Sequence, residues 1–244
     1  MPIFFKHISF IFLTLFISAN TSAFTPNSLS ADSSFQSLCY KHPHRYEPFK
    51  FQSFVSLSFV RLPYDWVETE NSTTMLNAAT RLGLPAHLNF EVNIKATPSS
   101  ILLRFGPELD LKYRHFSIGI GVNAAYSYLS VKEYGYTNKS YGWSAFPGIA
   151  VGYYHNNLAF TIVGELDIAL RGTISSEDII VMQSKRRLSG KSIGFYLEQK
   201  FHRNTVMTIG FVNNFQKNYF TTWLVQTTFN RYYYIPQVYI GLVL

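Results

Sequence analysis

Acidic and basic side chains alternate with apolar ones along several stretches of this 244-residue chain. Groups at every second position share one face of a strand, because successive side chains point to opposite sides. Inside a closed sheet such charges must pair, since an unpaired buried ion is costly. We therefore expect a salt-bridged network, the alternative being a proton or ion path or an acid–base pair. Its members would be Glu91, Lys95, Arg104, Glu108, Asp110, Lys112, Glu165, Asp167, Arg171, Glu198 and Lys200.

A second set of reactive side chains is the Cys-x-x-His-x-His spacing of Cys39, His42 and His44. Sulfur and imidazole together are ligands for zinc or copper. The motif supplies only three local ligands, lacks a CxxC pair and has Pro43 between its histidines. These residues are therefore weak metal candidates, and we expect no metal and no cofactor. Cys39 is the one cysteine of the chain, so we expect a free thiol that could pair with another chain.

Nucleophilic catalysis would need a serine with a histidine and an acid within reach. The chain has no G-x-S-x-G motif, and four of its seven histidines, His87, His115, His155 and His202, fall in predicted tight turns. We therefore expect no enzyme. The alternative is a hydrolase or acyltransferase that acts on lipid A or phospholipid of an outer membrane.

A basic run, Lys185-Arg186-Arg187 with Lys191, lies in a predicted long loop. Clustered cations bind anionic headgroups, so this loop would contact lipopolysaccharide phosphates, the alternative being a solvated loop. No nucleic-acid-binding motif is present, so we expect no nucleic-acid partner.

Alternation with a period of two predicts the elements that carry these residues. Residues 88–95 place apolar side chains at every even position, which is typical of a strand with one apolar face. The pattern predicts ten strands, although eight to twelve are compatible with it, and residues 219–229 also alternate. The predicted strands are 51–61, 73–84, 88–96, 101–113, 116–130, 141–154, 158–171, 190–201, 205–215 and 232–244.

Connections between these strands are short at one end and mostly long at the other, where the long ones are 62–72, 131–140, 172–189 and 216–231. This is the layout of a transmembrane antiparallel up-and-down β-barrel. Aromatics near the strand ends favour lipid outside, as in interfacial girdles; the clusters are Tyr113, Phe116, Tyr153 and Phe160 at one end and Tyr126, Tyr128, Tyr134, Tyr136, Tyr141 and Trp143 at the other. The alternative is a secreted soluble ligand-binding barrel with the apolar face inside.

The composition of the chain agrees with an alternation of apolar and polar residues. Charged residues make up 14% and aromatics 17% of the chain, while mean hydropathy is only +0.03. Residues 1–23 have the basic start, short apolar run and small residues of a signal peptide, with cleavage expected after Ala23. Residues 24–49 would form a periplasmic linker, and residues 50–244 an outer-membrane barrel.

Two short segments resemble elements of the PorT-type outer-membrane β-barrel family. Residues 81–90, Arg-Leu-Gly-Leu-Pro-Ala-His-Leu-Asn-Phe, are similar to its Leu-x-Ile-Pro element followed by an apolar strand. Residues 105–109, Phe-Gly-Pro-Glu-Leu, are similar to its Gly-Pro strand element. The resemblance covers about the central half of the mature chain. It implies a small outer-membrane barrel with both termini periplasmic, and it assigns no ligand or functional residue.

Together these features predict a non-enzymatic outer-membrane barrel with a narrow, plugged lumen. Its partners would be outer-membrane lipid and lipopolysaccharide, together with other envelope or secretion proteins. Its role would be structural, adhesive, or accessory to secretion or assembly.

Overall fold

A computed structural model of the chain describes residues 35–63, 72–133, 136–177, 179–202, 205–217 and 231–244. The predicted signal peptide and its cleavage site, and the alternating residues 219–229, lie outside these ranges. In the described part of the chain, no helix is long and apolar enough to cross a membrane.

Ten antiparallel strands form a closed barrel in chain order, with the first strand paired to the last. Their bounds are β1 Phe51–Arg61, β2 Ser72–Gly83, β3 Leu88–Ala96, β4 Ser100–Tyr113, β5 Phe116–Glu133, β6 Tyr136–His155, β7 Leu158–Ser176, β8 Ile179–His202, β9 Thr205–Gln216 and β10 Tyr233–Val243. Closure leaves no sheet edge around the barrel wall. The predicted fold class is confirmed.

The two ends of the barrel differ. At the terminal end, where β1 begins and β10 finishes, the connections are 84–87, 114–115, 156–157 and 203–204. At the hairpin end, β5 to β8 extend beyond the described residues of β4 and β9 with which they pair. The predictions of long loops over 131–140 and 172–189 are wrong, because these residues continue the strands to connections at 134–135 and 177–178. The backbone remains paired in these segments although apolar and polar residues no longer alternate.

Apolar side chains alternate outward and remain exposed around the wall. They include Leu57, Phe59, Leu76, Val92, Leu111, Ile118, Ile120, Val122, Ile149, Val151, Ile162, Leu166, Ile193, Phe195, Ile209, Phe211, Val238, Ile240 and Leu242. At the terminal end four exposed aromatics, Tyr113, Phe116, Tyr153 and Phe160, are successive partners across β4 to β7. At the hairpin end Tyr126 pairs with Trp143, their ring centroids 5.1 Å apart. The apolar belt and its two aromatic rims match a membrane-spanning wall.

The lumen is filled in layers. At the terminal end an apolar cluster joins barrel residues such as Phe54 and Tyr239 to the chain before β1. At the hairpin end a smaller cluster contains Val60, Met75 and Ile235. Charged and amide side chains lie between them, so the polar layer is bounded by apolar groups at both ends.

Candidate functional site

The chain segment 35–46, hereafter the plug, lies inside the barrel at the terminal end. Phe35, Cys39 and Tyr40 are fully buried in the apolar cluster there. The ring of Tyr40 stacks on that of Phe54, with centroids 4.9 Å apart. The sequence assigned residues 24–49 to a linker, but the described part of that range packs as lumenal core up to Tyr46. Without a repeating apolar period, this segment gave no sequence signal for burial.

Glu198 on β8 anchors the backbone of the plug. Its carboxylate accepts hydrogen bonds from the N–H groups of Tyr40 at 2.7 Å, Lys41 at 2.9 Å and His42 at 2.7 Å. The hydroxyl of Thr208 donates a fourth at 3.3 Å. Glu198 is fully buried, and such charge-assisted bonds to main-chain donors offset the cost of burying a carboxylate. Predicted as a member of an ion-pair network, Glu198 instead holds the main chain of the plug.

Lys41 of the plug is enclosed by aromatic rings. Its Nζ lies 5.4 to 5.7 Å from the ring centroids of Tyr40, Phe54, Tyr196 and Tyr239. An ammonium over the face of an aromatic ring is attracted by the ring quadrupole, most strongly when water is excluded. Lys41 therefore fixes the plug through its side chain, while Glu198 fixes it through its backbone.

Arg81 connects the plug to the charged layer. One of its nitrogens, Nη2, lies 2.9 Å from a carboxylate oxygen of Glu91 and 2.9 Å from one of Glu108. The same guanidinium stacks over the rings of Tyr40 and Tyr46, at 4.9 and 5.3 Å. Sequence reasoning missed Arg81. Its place on the inward parity of β2, opposite Glu91 in the register, was the available signal.

A second ion pair closes the layer across the barrel. The guanidinium of Arg104 on β4 grips the carboxylate of Glu165 on β7 with distances of 2.6 and 3.3 Å, and lies 4.5 Å from the ring centroid of Phe146. Between these groups is a cavity of about 110 Å³, which is room for a few water molecules. Lys95 and Lys41 also line it. Of the residues proposed for a network, Glu91 and Glu108 thus pair with Arg81, and Glu165 pairs with Arg104.

The remaining predicted network residues have separate surroundings. Asp110 accepts a hydrogen bond of 2.5 Å from Asn89. Lys112 donates to the side-chain oxygen of Gln36 on the plug. Asp167 and Lys200 form none of the ion pairs found between described residues.

Arg171 is not part of the lumenal layer, and its predicted place there is wrong. The register between β6 and β7 shifts between Trp143 and Ser144, so that Arg171 pairs with the exposed Trp143. A strand irregularity of this kind resets the alternation of faces. Arg171 is exposed and lines a surface cleft instead of the lumenal cavity.

The weak metal candidates are also packed in the plug. The Cys39 thiol donates to the carbonyl of Phe35 at 3.6 Å, and His44 Nδ1 lies 3.0 Å from the carbonyl oxygen of His42. Burial raises the pKa of the Cys39 thiol, with a smaller contribution from Glu198. Among described residues, no three His, Cys, Asp or Glu side chains are grouped to hold a metal ion.

His42 and Ser117 form a nucleophile-and-base contact that sequence did not reveal. Ser117 Oγ lies 2.9 Å from His42 Nε2, which also accepts from the Gln36 amide at 3.2 Å. His42 Nδ1 has no partner among described residues, so no acid orients the ring as a catalytic triad requires. Burial, and secondarily Lys112, lowers the pKa of His42 to about 4. His42 belongs to the plug and Ser117 to β5, and both side chains are buried, so the contact joins the plug to the barrel wall.

The basic residues Lys185, Arg186, Arg187 and Lys191 lie on strand β8, not in a loop. Lys185 and Arg186 are exposed and share a cleft with Arg171. Lys191 is farther along β8, with its Nζ 5.9 Å from the ring centroid of Phe215 and 6.0 Å from that of Tyr232. Arg187 is half-buried and has an interaction partner within the chain.

A closed ten-stranded wall, apolar outside and charged inside, defines the class of a transmembrane β-barrel with a filled lumen. No family model and no curated protein matches the chain. Among solved structures it is similar to neisserial surface protein A, with 9% identity over 80% of this chain and 96% of that chain and a TM-score of 0.36. It is also similar to the translocator domain of the autotransporter NalP from Neisseria meningitidis, with 9% identity, 79% and 87% coverage and a TM-score of 0.39. A third is outer membrane phospholipase A from Escherichia coli, with 8% identity, 89% and 98% coverage and a TM-score of 0.39. No residue role is carried over from these proteins.

Proposed function

We propose that this chain is an outer-membrane barrel, exported by a signal peptide that is cleaved after Ala23, with a closed lumen and no enzymatic activity. The apolar belt, the even strand number and the common end of the first and last strands support this location. The terminal end then faces the periplasm, and the hairpin end faces outward. Membership of the PorT-type family is part of the same proposal, resting on the two sequence elements at 81–90 and 105–109.

The proposal of a closed lumen rests on the attachment of the plug at two points. Glu198 holds three successive N–H groups, and Lys41 occupies the four-ring cage. Above the plug, Arg81 and Arg104 are engaged with carboxylates of the wall. A lumen occupied in this way does not provide a continuous aqueous path for solutes.

If the lumen is closed, the protein must act through its outer surface. Strand β8 begins at Ile179, 11 residues before Gly190, its first residue paired with β9, which is roughly 36 Å of additional strand at about 3.3 Å per residue. The β5–β8 sheet therefore projects beyond the wall, and its tip exposes Ile179, Ile180 and Val181. Exposed apolar groups on a projecting element favour contact with another molecule, as an adhesive, structural or assembly-accessory role requires.

Two measurements test the location and the plug. The folded protein should partition with outer membranes and migrate differently on gels before and after boiling; recovery in the soluble fraction without detergent would overturn the location. In planar bilayers the intact protein should be silent, and a variant lacking residues 24–46 should give steady openings. Large steady openings from the intact protein would overturn the closed lumen.

Two further measurements address the role. Replacing residues 177–182 with a Gly-Ser turn should abolish capture of partners from detergent-solubilised envelopes while leaving the gel shift intact. The matched control replaces the connection at 134–135. Mass spectrometry of lipid A and phospholipid from a deletion strain should show an unchanged profile, whereas loss of one acyl modification would support the enzymatic alternative.

A further inference from the structure

We propose that the hairpin-end part of β7 and β8 carries a binding site for the phosphate groups of an outer-leaflet glycolipid, formed by Arg171, Lys185 and Arg186. The inference rests on the proposed outer-membrane location and names a lipid partner for the basic strand. It also corrects the membership of the basic group expected from sequence, because Arg171 joins it across the sheet.

The three cations surround one cleft. An open cleft of about 660 Å³ is lined by Leu170, Arg171, Gln183, Lys185 and Arg186. Arg171 and Lys185 are register partners on adjacent strands. None of the three cations forms an ion pair with another residue that the structure describes, and all three are exposed. The cleft therefore presents guanidinium and ammonium donors whose charge is not neutralised within the described chain.

The register places this cleft at the aromatic rim of the hairpin end. Tyr126 pairs with Trp143, Trp143 with Arg171, and Arg171 with Lys185, in one row across β5 to β8. Trp143 is exposed on the outer face. Aromatic rims lie at the level of the lipid headgroups, so Arg171 and Lys185 are at the height of headgroup phosphates.

The donor types match that ligand. Guanidinium groups bind phosphate oxygens through two parallel hydrogen bonds, and ammonium groups add point charge. Leu170 lines the same cleft, and the apolar wall below it would contact acyl chains. Lys191, beside Phe215 and Tyr232, extends the basic surface along β8. A headgroup with two phosphates and attached acyl chains fits this combination better than a free anion, which would gain nothing from the apolar wall.

The test compares two triple variants of the full chain in detergent micelles. Arg171→Gln/Lys185→Gln/Arg186→Gln removes the cleft, and Arg45→Gln/Lys50→Gln/Arg114→Gln removes three charges at the terminal end. The probes are diphosphoryl lipid A, its dephosphorylated form and inorganic phosphate, with bound lipid counted by native mass spectrometry. Since a basic residue near anionic lipid contributes about fivefold in affinity, the first variant should bind diphosphoryl lipid A about a hundredfold more weakly. The terminal-end variant should bind like the unsubstituted protein.

Equal losses in both variants would overturn the site, because attraction would then depend on net charge alone. Equal binding of the dephosphorylated lipid would also overturn it, as would complete competition by millimolar inorganic phosphate. An unshifted gel band or open channels in both variants and the parent would instead contradict the proposed barrel function. These outcomes distinguish failure of the lipid site from failure of the location on which it rests.

Discussion

Glu198→Gln tests how the plug is held, because it replaces one carboxylate oxygen with an amide nitrogen of similar size. In the folded protein Oε1 accepts from the N–H groups of Tyr40 and Lys41, and Oε2 accepts from that of His42. A glutamine keeps one acceptor. Its NH₂ group then faces a main-chain donor, and at least one buried N–H is left without a partner.

The expected loss can be estimated from these contacts. A hydrogen bond to a charged group contributes about 1.5–3 kcal/mol, and an unsatisfied buried donor costs about 1–3 kcal/mol. Losing one such bond and weakening two others should destabilise the docked plug by about 3 kcal/mol. At tenfold per about 1.4 kcal/mol, the population with the plug released should rise by roughly a hundredfold.

Cys39 reports this release directly. It is the one cysteine of the chain and is fully buried in the plug. Burial also raises the pKa of its thiol, so it should react slowly until the plug leaves the lumen. We expect maleimide labelling of the folded, heat-shiftable Glu198→Gln protein to be about a hundredfold faster than that of the parent, as the released population predicts.

The matched control is Glu177→Gln at the tip of the β7–β8 hairpin. Glu177 also accepts from a main-chain N–H, that of Thr137 at 2.9 Å, but this contact is exposed. The control should label at the parental rate. If Glu198→Gln is folded by its gel shift and labels no faster than the parent, the carboxylate does not hold the plug.

Three further predictions concern the same interior. Gly152→Ala should also accelerate Cys39 labelling, because the Cβ of the new alanine would lie 2.3 Å from His42 Nδ1. The control Gly164→Ala, whose Cβ would have its nearest neighbour 3.8 Å away, should label at the parental rate. Equal labelling of the two variants would refute the close contact between Gly152 and the plug. Arg104→Gln should lower the free energy of unfolding in urea by about 1–3 kcal/mol by leaving the partly buried Glu165 unpaired, and Arg104→Met with Glu165→Met should recover most of it; no recovery would refute the pairing. Finally, burial lowers the pKa of His42 from 6.5 to about 4 and that of His44 from 6.5 to about 3, so the docked plug should be fully stable above pH 6.5 and lose up to about 3 kcal/mol for each histidine as pH falls to 4. Labelling with a pyridyl disulfide should rise over that window; His42→Gln should reduce the rise, and His42→Gln with His44→Gln should flatten it.

The strands within the membrane wall could be predicted because one physical constraint acts on every second residue. Residues 88–96 and 51–61 were predicted with the observed bounds of β3 and β1, since lipid on one side and the lumen on the other enforce alternation. Beyond the wall this constraint disappears. Residues 179–189 of β8, including the basic run, therefore appeared to be a loop although the backbone remains paired to β7.

The site was only partly predictable for a different reason. The carboxylates and Arg104 could be assigned to the lumen from parity, but their partners depend on closure of the barrel. Glu198 contacts main-chain groups more than 150 positions earlier in the chain, and such contacts do not constrain the residue types at those positions. A sequence motif is a pattern of side chains. Because Glu198 binds main-chain N–H groups, this contact requires no particular side chains in the plug and leaves no motif in the sequence.

The backbone anchor has a consequence for how the segment can vary. Glu198 recognises three N–H groups, which almost any residue supplies, so most substitutions at positions 40 and 42 would retain the anchor and alter only packing. Proline is the exception, because it has no N–H to donate. Position 41 is restricted differently, since only a long cationic side chain fills the aromatic cage. The barrel thus binds its own plug as a receptor binds a peptide: Glu198 contacts the main chain of any sequence, and the aromatic cage selects the lysine side chain. Foreign peptides with a central lysine could therefore be engineered to replace the plug.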